Sequence, residues 1–201
     1  MAALSVSYAF GEGIGRLACI SFGCCYGKPL SVCHPLIQHL FRKRNFIFSG
    51  KTKKIAYANG WDGEPVLPIQ AVTAVIYCGA GIAGVYLFLN GFYAAAFLES
   101  LIITQVWRSI SEIFRADFRG DRKISAYQVM SLSAVIYAVV MVLLQSEAST
   151  ATPNVLRGMG YLWHPAVILA LQLLWAFVFL YTGRSRVTGS LVSFHVIRER
   201  I

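Results

Sequence analysis

The sequence predicts an all-α, multispanning helical membrane protein with about five transmembrane or re-entrant helices. Three observations predict it. Of the 201 residues, 57% are hydrophobic and only 13% are charged, whereas a soluble domain carries about 25% charged residues. Mean hydropathy is +0.60. Charge is absent from residues 65–98, 124–146 and 158–183, and each of these runs exceeds the roughly 18 apolar residues that suggest a helical span. The same numbers exclude an ordinary soluble enzyme, a disordered chain, collagen and a small disulfide scaffold.

The elements follow in order. Residues 1–27 are apolar except for Glu12 and Arg16. They lack the basic n-region and the A-x-A site of a signal peptide, and read as a first, polar-centred or re-entrant helix. Residues 28–64 hold KP, RKRN, SGKTKK and NGWDGEP, a polar loop whose Gly, Pro, Asn and Lys stop a span. Its Tyr57 and Trp61 suit a membrane interface. The run from residue 65 is too long for one untilted span, so the Asn90-Gly91 pair divides it into a second helix near 67–89 and a third near 92–114. A charged connector at 115–123 leads to a fourth helix near 126–145, completing a membrane core over 1–146. Residues 147–201 add a polar segment, a fifth helix near 161–181 and a basic tail. No internal repeat of 20–50 residues and no separate soluble domain is detected.

The net charge is +9, from 18 Lys and Arg against 9 Asp and Glu. Basic residues flank membrane spans and touch anionic head groups. Basic and aromatic residues do not interleave in a soluble module, so no nucleic-acid partner is expected. Five cysteines, an odd number, do not form a disulfide framework. Cys19, Cys24, Cys25, Cys33 and His34 crowd into 16 residues. Close C-x2-C pairs are missing, however, and adjacent Cys24 and Cys25 on a helix would point to different faces, so neither a metal nor a cofactor is expected. His39, His164 and His195 stand alone.

An ionisable side chain at the centre of a bilayer helix costs about 2.5–3.5 kcal/mol on insertion scales, which makes it a functional candidate. Arg16, Glu99, Arg108 and Glu112 qualify. Arg108, Glu112 and Arg115 are spaced i, i+4, i+7 and share one helical face. That face looks into the bundle or a wet cavity, or else forms an ion pair snorkelling at a helix end. Gly11, Gly15, Gly23 and Gly27, with Cys19 filling the gap, make a stripe of small residues. Such a stripe serves helix packing or the close approach of a head group to the backbone. GEGIGR lacks the preceding strand and the glycine spacing of a dinucleotide fingerprint.

GRLACISFGCCYG resembles the glycine-arginine signature of the prolipoprotein diacylglyceryl transferases, a family of bacterial membrane enzymes, on Gly15, Arg16, Gly23 and Gly27. Cys19 stands where that family usually has Asn, and Cys24 where it has Glu. LPIQA resembles the family's H-P-x-Q-L-Y-E, keeping Pro68 and Gln70 but not the His, Tyr or Glu. WRSISEIFRAD is similar to its R-x-x-x-E-x-x-R on Arg108, Glu112 and Arg115, and ISAYQVMS to its I-S-M-G-Q-I-L-S. The likeness runs from residue 1 to about 144, and the order and spacing of the motifs make it specific. The family's earlier helices and their His-Gly-Gly segment have no counterpart, which marks an N-terminally shortened or divergent member, and the fifth helix is extra.

The resemblance implies transfer of a diacylglyceryl group from phosphatidylglycerol to the lipobox cysteine of a prolipoprotein, in a multi-pass protein of the bacterial inner membrane. Its partners are then phosphatidylglycerol and the prolipoprotein signal-peptide region. Arg16 and Arg108 hold the departing phosphate, Glu112 orients one of them, and Gly15, Gly23, Gly27, Gln70 and Arg115 bind substrate, with amides near Gly23 and Gly27 approaching the phosphate. The missing His leaves Glu12 or Tyr26 to take the thiol proton. The alternative is a non-catalytic phospholipid-binding or assembly paralogue that lacks the base; a small transporter finds no support in related halves. Five alternating helices gather the basic segments on one side. The positive-inside rule makes that side cytoplasmic, while the family's topology turns the first two of those segments outward, and the latter is the adopted expectation.

Overall fold

A computed structural model of the chain describes residues 1–116, 124–144 and 152–184. It falls into two compact units, Met1–Pro153 and Asn154–Ile201. In the first, α1 (Ala2–Phe22), α4 (Ile69–Leu89), α5 (Tyr93–Phe114) and α6 (Ala126–Leu144) form a bundle in which α1 packs on α4 and α5, α4 packs on α5, and α5 packs on α6. Most of the connector expected at 115–123 and the basic tail beyond residue 184 lie outside the described residues.

Each helix boundary has a local cause. Gly23, at φ 61°, closes α1 with a Schellman turn: its N–H donates to Ile20 O at 3.2 Å and that of Cys24 to Cys19 O at 3.1 Å, a conformation glycine adopts without a Cβ penalty. The Asn90-Gly91 turn ends α4 as expected, with Phe92 N–H donating to Leu87 O at 3.0 Å. A capping box opens α6. Gln128 N–H donates to Ser125 Oγ at 3.2 Å, and Ser125 N–H to Gln128 Oε1 at 3.0 Å.

Lipid tails are as apolar as leucine, so association inside a bilayer rests on close packing and interhelical hydrogen bonds. A Cβ on Gly84 of α4 would lie 2.5 Å from Ser100 Oγ of α5 and 2.7 Å from Val6 Cγ2 of α1. One on Gly13 of α1 would lie 2.9 Å from Cys78 Sγ. This corrects the small-residue stripe, because Gly11 and Gly15 have no neighbouring atom within 4 Å of a Cβ. The packed face of α1 is Ala2, Val6, Ala9 and Gly13, two residues out of phase with the stripe and so about 200° round the helix. Tyr77 OH of α4 donates to Thr104 O of α5 at 2.8 Å, Trp107 Nε1 of α5 to Thr73 Oγ1 of α4 at 2.9 Å, and Gln128 Nε2 of α6 to Ser109 O of α5 at 3.3 Å.

By length and apolarity α4 and α6 can cross a bilayer. Their outward faces, including Val75 and Ile82 of α4 and Val129, Leu132 and Ile136 of α6, are exposed and apolar, as lipid contact requires. α1 carries Glu12 and Arg16, α5 carries Glu99, Arg108 and Glu112, and both fall short of the same criterion. The chain is an all-α membrane protein.

The segment read as a polar loop is itself folded. It holds a 3₁₀ turn (Leu30–Val32), α2 (Pro35–Phe41), α3 (Lys54–Asn59) and an antiparallel pair, β1 (Phe46–Ile47) with β2 (Pro65–Val66), in register Phe46↔Val66. Tyr26, Phe48, Ile55 and Val66 form a buried cluster there, flanked by Trp61. In the second unit the fifth helix, expected near 161–181, is two: α7 (Val155–Leu162) and α8 (Pro165–Arg184), bent by 65°. Pro165 lacks an N–H, and its ring disfavours helical backbone at His164, so α7 ends and a new helix begins with Pro at its first position.

Candidate functional site

Between α1, α4, α5 and α6 lies a cavity of about 170 Å³. Its wall includes Arg16 from α1, Gln70 from α4, Arg108, Glu112 and Arg115 from the end of α5, and Cys25 from the turn after α1. Five of the eight residues expected at the site therefore meet, although the sequence separates Arg16 from Arg108 by 92 positions. Gly15, Gly23 and Gly27 are not on this wall.

The convergence is built by the backbone. After α1 the chain runs between the end of α5 and the start of α4. Lys28 N–H donates to Phe114 O at 2.9 Å, Ala116 N–H to Tyr26 O at 3.2 Å, and Leu67 N–H to Lys28 O at 3.0 Å. Gly27 permits this approach, since a Cβ there would lie 2.5 Å from Leu67 O and 2.8 Å from Leu67 Cβ. Gly23 gives its amide hydrogen to Ile20 O. Two of the signature glycines thus shape the turn that carries Cys25 to the cavity, and Gly15 faces open space.

Arg16 Nη2 pairs with Glu12 Oε2 at 2.8 Å, one helical turn back, which supplies the carboxylate its burial demands. Its Nη1 lies 3.8 Å from Cys25 Sγ, and its buried Nε has no hydrogen-bond partner. Gln70 is 1% exposed. Its Nε2 donates to Cys24 O at 2.9 Å while its buried Oε1 is unpartnered. A buried polar atom left unsatisfied costs about 1–3 kcal/mol, so both orphans mark a site that a polar ligand would complete. Arg108 donates from Nη1 to Tyr8 OH at 3.3 Å and sits 5.3 Å from the centroid of the Tyr127 ring, a cation–π contact. Among the described residues, the charged side chains on the wall are three guanidinium groups and one carboxylate, an excess of cation walled by apolar helices.

Sequence reasoning missed Thr73, Tyr77 and Tyr127, which also line the cavity. The first two were legible, because Gln70, Thr73 and Tyr77 repeat at i, i+3, i+7 on an otherwise apolar helix. Of the proposed bases, Glu12 is paired with Arg16. Tyr26 lies in the second core, 1% exposed, donating to Asn59 Oδ1 at 2.6 Å and set edge-on to Trp61, away from the cavity wall. Glu99 is not on that wall either; it accepts from Ser100 Oγ at 3.2 Å. A second, apolar cavity of about 400 Å³ is lined by Met1, Leu4, Phe97, Leu101 and Tyr137 among others, and by Tyr8, whose hydroxyl accepts from Arg108 of the first cavity.

One assumption about cysteine is overturned. The thiols of Cys19, Cys24 and Cys25 lie within 4.8 Å of one another. The chain leaves the helix at Gly23, and Cys25 is left-handed at φ 55°, so the divergence expected of adjacent helical residues does not arise.

Fold and cavity together define a helical membrane protein with a cationic, partly unsatisfied pocket between its helices, a class suited to an anionic head group. A family model, prolipoprotein diacylglyceryl transferase, matches residues 1–144. The chain belongs to that family. Comparisons with curated proteins and with solved structures give no match.

Proposed function

We infer that this chain is a multi-pass transferase of the bacterial inner membrane that moves the diacylglyceryl group of phosphatidylglycerol to the lipobox cysteine of a prolipoprotein. The observation that carries this reading is the meeting of Arg16, Arg108, Arg115, Glu112 and Gln70 on one cavity wall. The thiol gives up its proton, which ends on the departing phosphate; its sulfur forms a bond to the terminal glyceryl carbon, the carbon–oxygen bond to phosphate breaks, and glycerol phosphate departs. Negative charge develops on the leaving phosphate, and guanidinium donors fixed in a low-dielectric cavity stabilise it more than water does. The orphaned Nε of Arg16 supplies a donor for a phosphate oxygen and Gln70 Oε1 an acceptor for a glycerol hydroxyl. The apolar cavity beyond Tyr8 accepts acyl chain.

One observation favours the second reading, a non-catalytic phospholipid-binding or assembly paralogue: among the described residues, no histidine lines the cavity. The two are separated by incubating purified chain with labelled phosphatidylglycerol and a lipobox peptide, beside Arg16→Ala and Arg108→Ala. Thioether-linked lipid from the unmutated chain, lost in both variants, is the expected result. Binding of phosphatidylglycerol without transfer overturns the enzyme reading in favour of the paralogue.

A further inference from the structure

The three converging thiols have a chemistry that the arginines and glutamine do not use. Cys19 belongs to the last turn of α1, and the Schellman turn at Gly23 with the left-handed Cys25 folds Cys24 and Cys25 back toward it. All three are half-buried and free of disulfides. Their sulfur atoms lie within 4.8 Å of one another, and Zn–S bonds of about 2.3 Å place the sulfurs of a zinc site roughly 3.8–4.0 Å apart. Small side-chain adjustments close that difference. The remaining cysteines take no part: Cys33 donates to Pro29 O at 3.4 Å, and Cys78 packs against Gly13.

Thiolate triads select soft or borderline ions, and three protein ligands leave one position of a tetrahedral zinc ion open, the arrangement of catalytic rather than structural zinc. Three thiolates on Zn²⁺ carry a net charge of −1. Arg16, whose Nη1 lies 3.8 Å from Cys25 Sγ, is placed to offset it. Cys25 also lines the cavity assigned to the phospholipid head group, so the metal would stand beside the reacting lipid.

We propose that Cys19, Cys24 and Cys25 bind zinc through three thiolates, and that the lipobox cysteine enters as the fourth ligand and is deprotonated there. The second half of this proposal rests on the transferase reading; the metal site does not. The entering thiol displaces a water from the open position and forms a Zn–S bond, and its proton leaves with that water, to be taken up by the departing glycerol phosphate. A coordinated thiol is deprotonated outright, which supplies the deprotonation that no histidine among the described residues of the cavity wall provides. The thiolate then forms the S–C bond as the Zn–S and C–O bonds break and glycerol phosphate departs, with zinc unchanged in oxidation state.

The test uses purified full-length chain in detergent micelles with Co(II) as the spectroscopic probe, and Zn(II) for competition. One Co(II) per chain is expected, with the visible bands of a four-coordinate ion and a near-ultraviolet sulfur-to-cobalt band, both abolished by Zn(II). In the unmutated chain, Zn(II) should protect three of the five cysteines from maleimide, a readout that needs no variant to fold. Cys19→Ser, Cys24→Ser and Cys25→Ser should each lower the sulfur-to-cobalt band by about one third, one thiolate of three, while Cys33→Ser and Cys78→Ser leave it unchanged. A lipobox peptide should raise the same band by about one third, and its Cys-to-Ser analogue should not. Equal maleimide reactivity of all five thiols with and without Zn(II) overturns the site. A band that the peptide does not alter overturns the fourth-ligand role. Lipid transfer that survives chelation at full rate removes zinc and leaves the transferase standing; Co(II) binding in a chain that transfers no lipid removes the transferase and leaves the metal site.

Discussion

Replacing Gly27 with Ala distinguishes a glycine that shapes the site from one that admits a ligand. The new Cβ would stand 2.5 Å from Leu67 O and 2.8 Å from Leu67 Cβ. An ordinary contact is about 3.5 Å, so the two main-chain segments must part by roughly 1 Å. The nearer clash is with a backbone oxygen, which no rotamer change relieves. Overpacking of this kind costs about 1–3 kcal/mol. The parting also strains the bonds Lys28 N–H to Phe114 O, Ala116 N–H to Tyr26 O and Leu67 N–H to Lys28 O, each worth about 0.5–1.5 kcal/mol. With one or two of them lost, the total is about 1.5–6 kcal/mol. At roughly 2–4 °C per kcal/mol for a chain of this size, Tm should fall by roughly 3–24 °C. Gly15→Ala is the counterpart: no atom lies within 4 Å of its Cβ, and Ala in a helix interior is favoured over Gly by about 0.5–1 kcal/mol, so Tm should hold or rise slightly. Thermal unfolding in detergent micelles, followed by tryptophan fluorescence, measures both. Equal shifts for the two variants, or an unchanged Tm for Gly27→Ala, would refute the account of the turn.

Three further outcomes follow from the cavity. Arg16→Lys keeps a cation for Glu12 but removes Nε, and should weaken phosphatidylglycerol binding in a titration by about ten- to a hundredfold, because a hydrogen bond to a charged group is worth about 1.5–3 kcal/mol; unchanged affinity would reduce Arg16 to a partner of Glu12. Tyr127→Leu withdraws the ring 5.3 Å from the Arg108 guanidinium, a contact worth about 0.5–2 kcal/mol, and should weaken the same binding by a few-fold to thirtyfold with little change in Tm. Trp107→Phe loses only the bond to Thr73 Oγ1; interhelical bonds of this kind average about 0.6 kcal/mol, so Tm should fall by about 1–3 °C, and a fall beyond 10 °C would show that more than one bond holds α4 to α5.

The helices were legible because apolar length and turn chemistry are local properties. The expected spans near 67–89, 92–114 and 126–145 meet α4, α5 and α6 within about two residues at each end, since Pro68, the Asn90-Gly91 turn and Ser125 mark ends that any helix would respect. The bend at Pro165 was equally present in the sequence, yet an unbroken apolar run masked it. The fold inside residues 28–64 was not legible, because its cluster draws on Tyr26 before the segment and Val66 after it, and no window of polar residues displays such a pairing.

For the site, the sequence determined which residues are too expensive to be accidental. Arg16, Arg108 and Glu112 stand out because charge in a bilayer is costly wherever the helix points. The sequence also placed Arg108, Glu112 and Arg115 on one face, because helical periodicity is fixed by the backbone. Only the tertiary structure decided what those charges meet. It put Glu12 against Arg16, Tyr127 under Arg108 and Gln70 against the carbonyl of Cys24, contacts between elements whose separation along the chain carries no distance information. It also reversed the reading of the cysteines. A helix diverges neighbouring side chains by about 100°, but Gly23 ends the helix one residue before Cys24, and a left-handed turn gathers into one cluster the thiols that a continuing helix would have held apart.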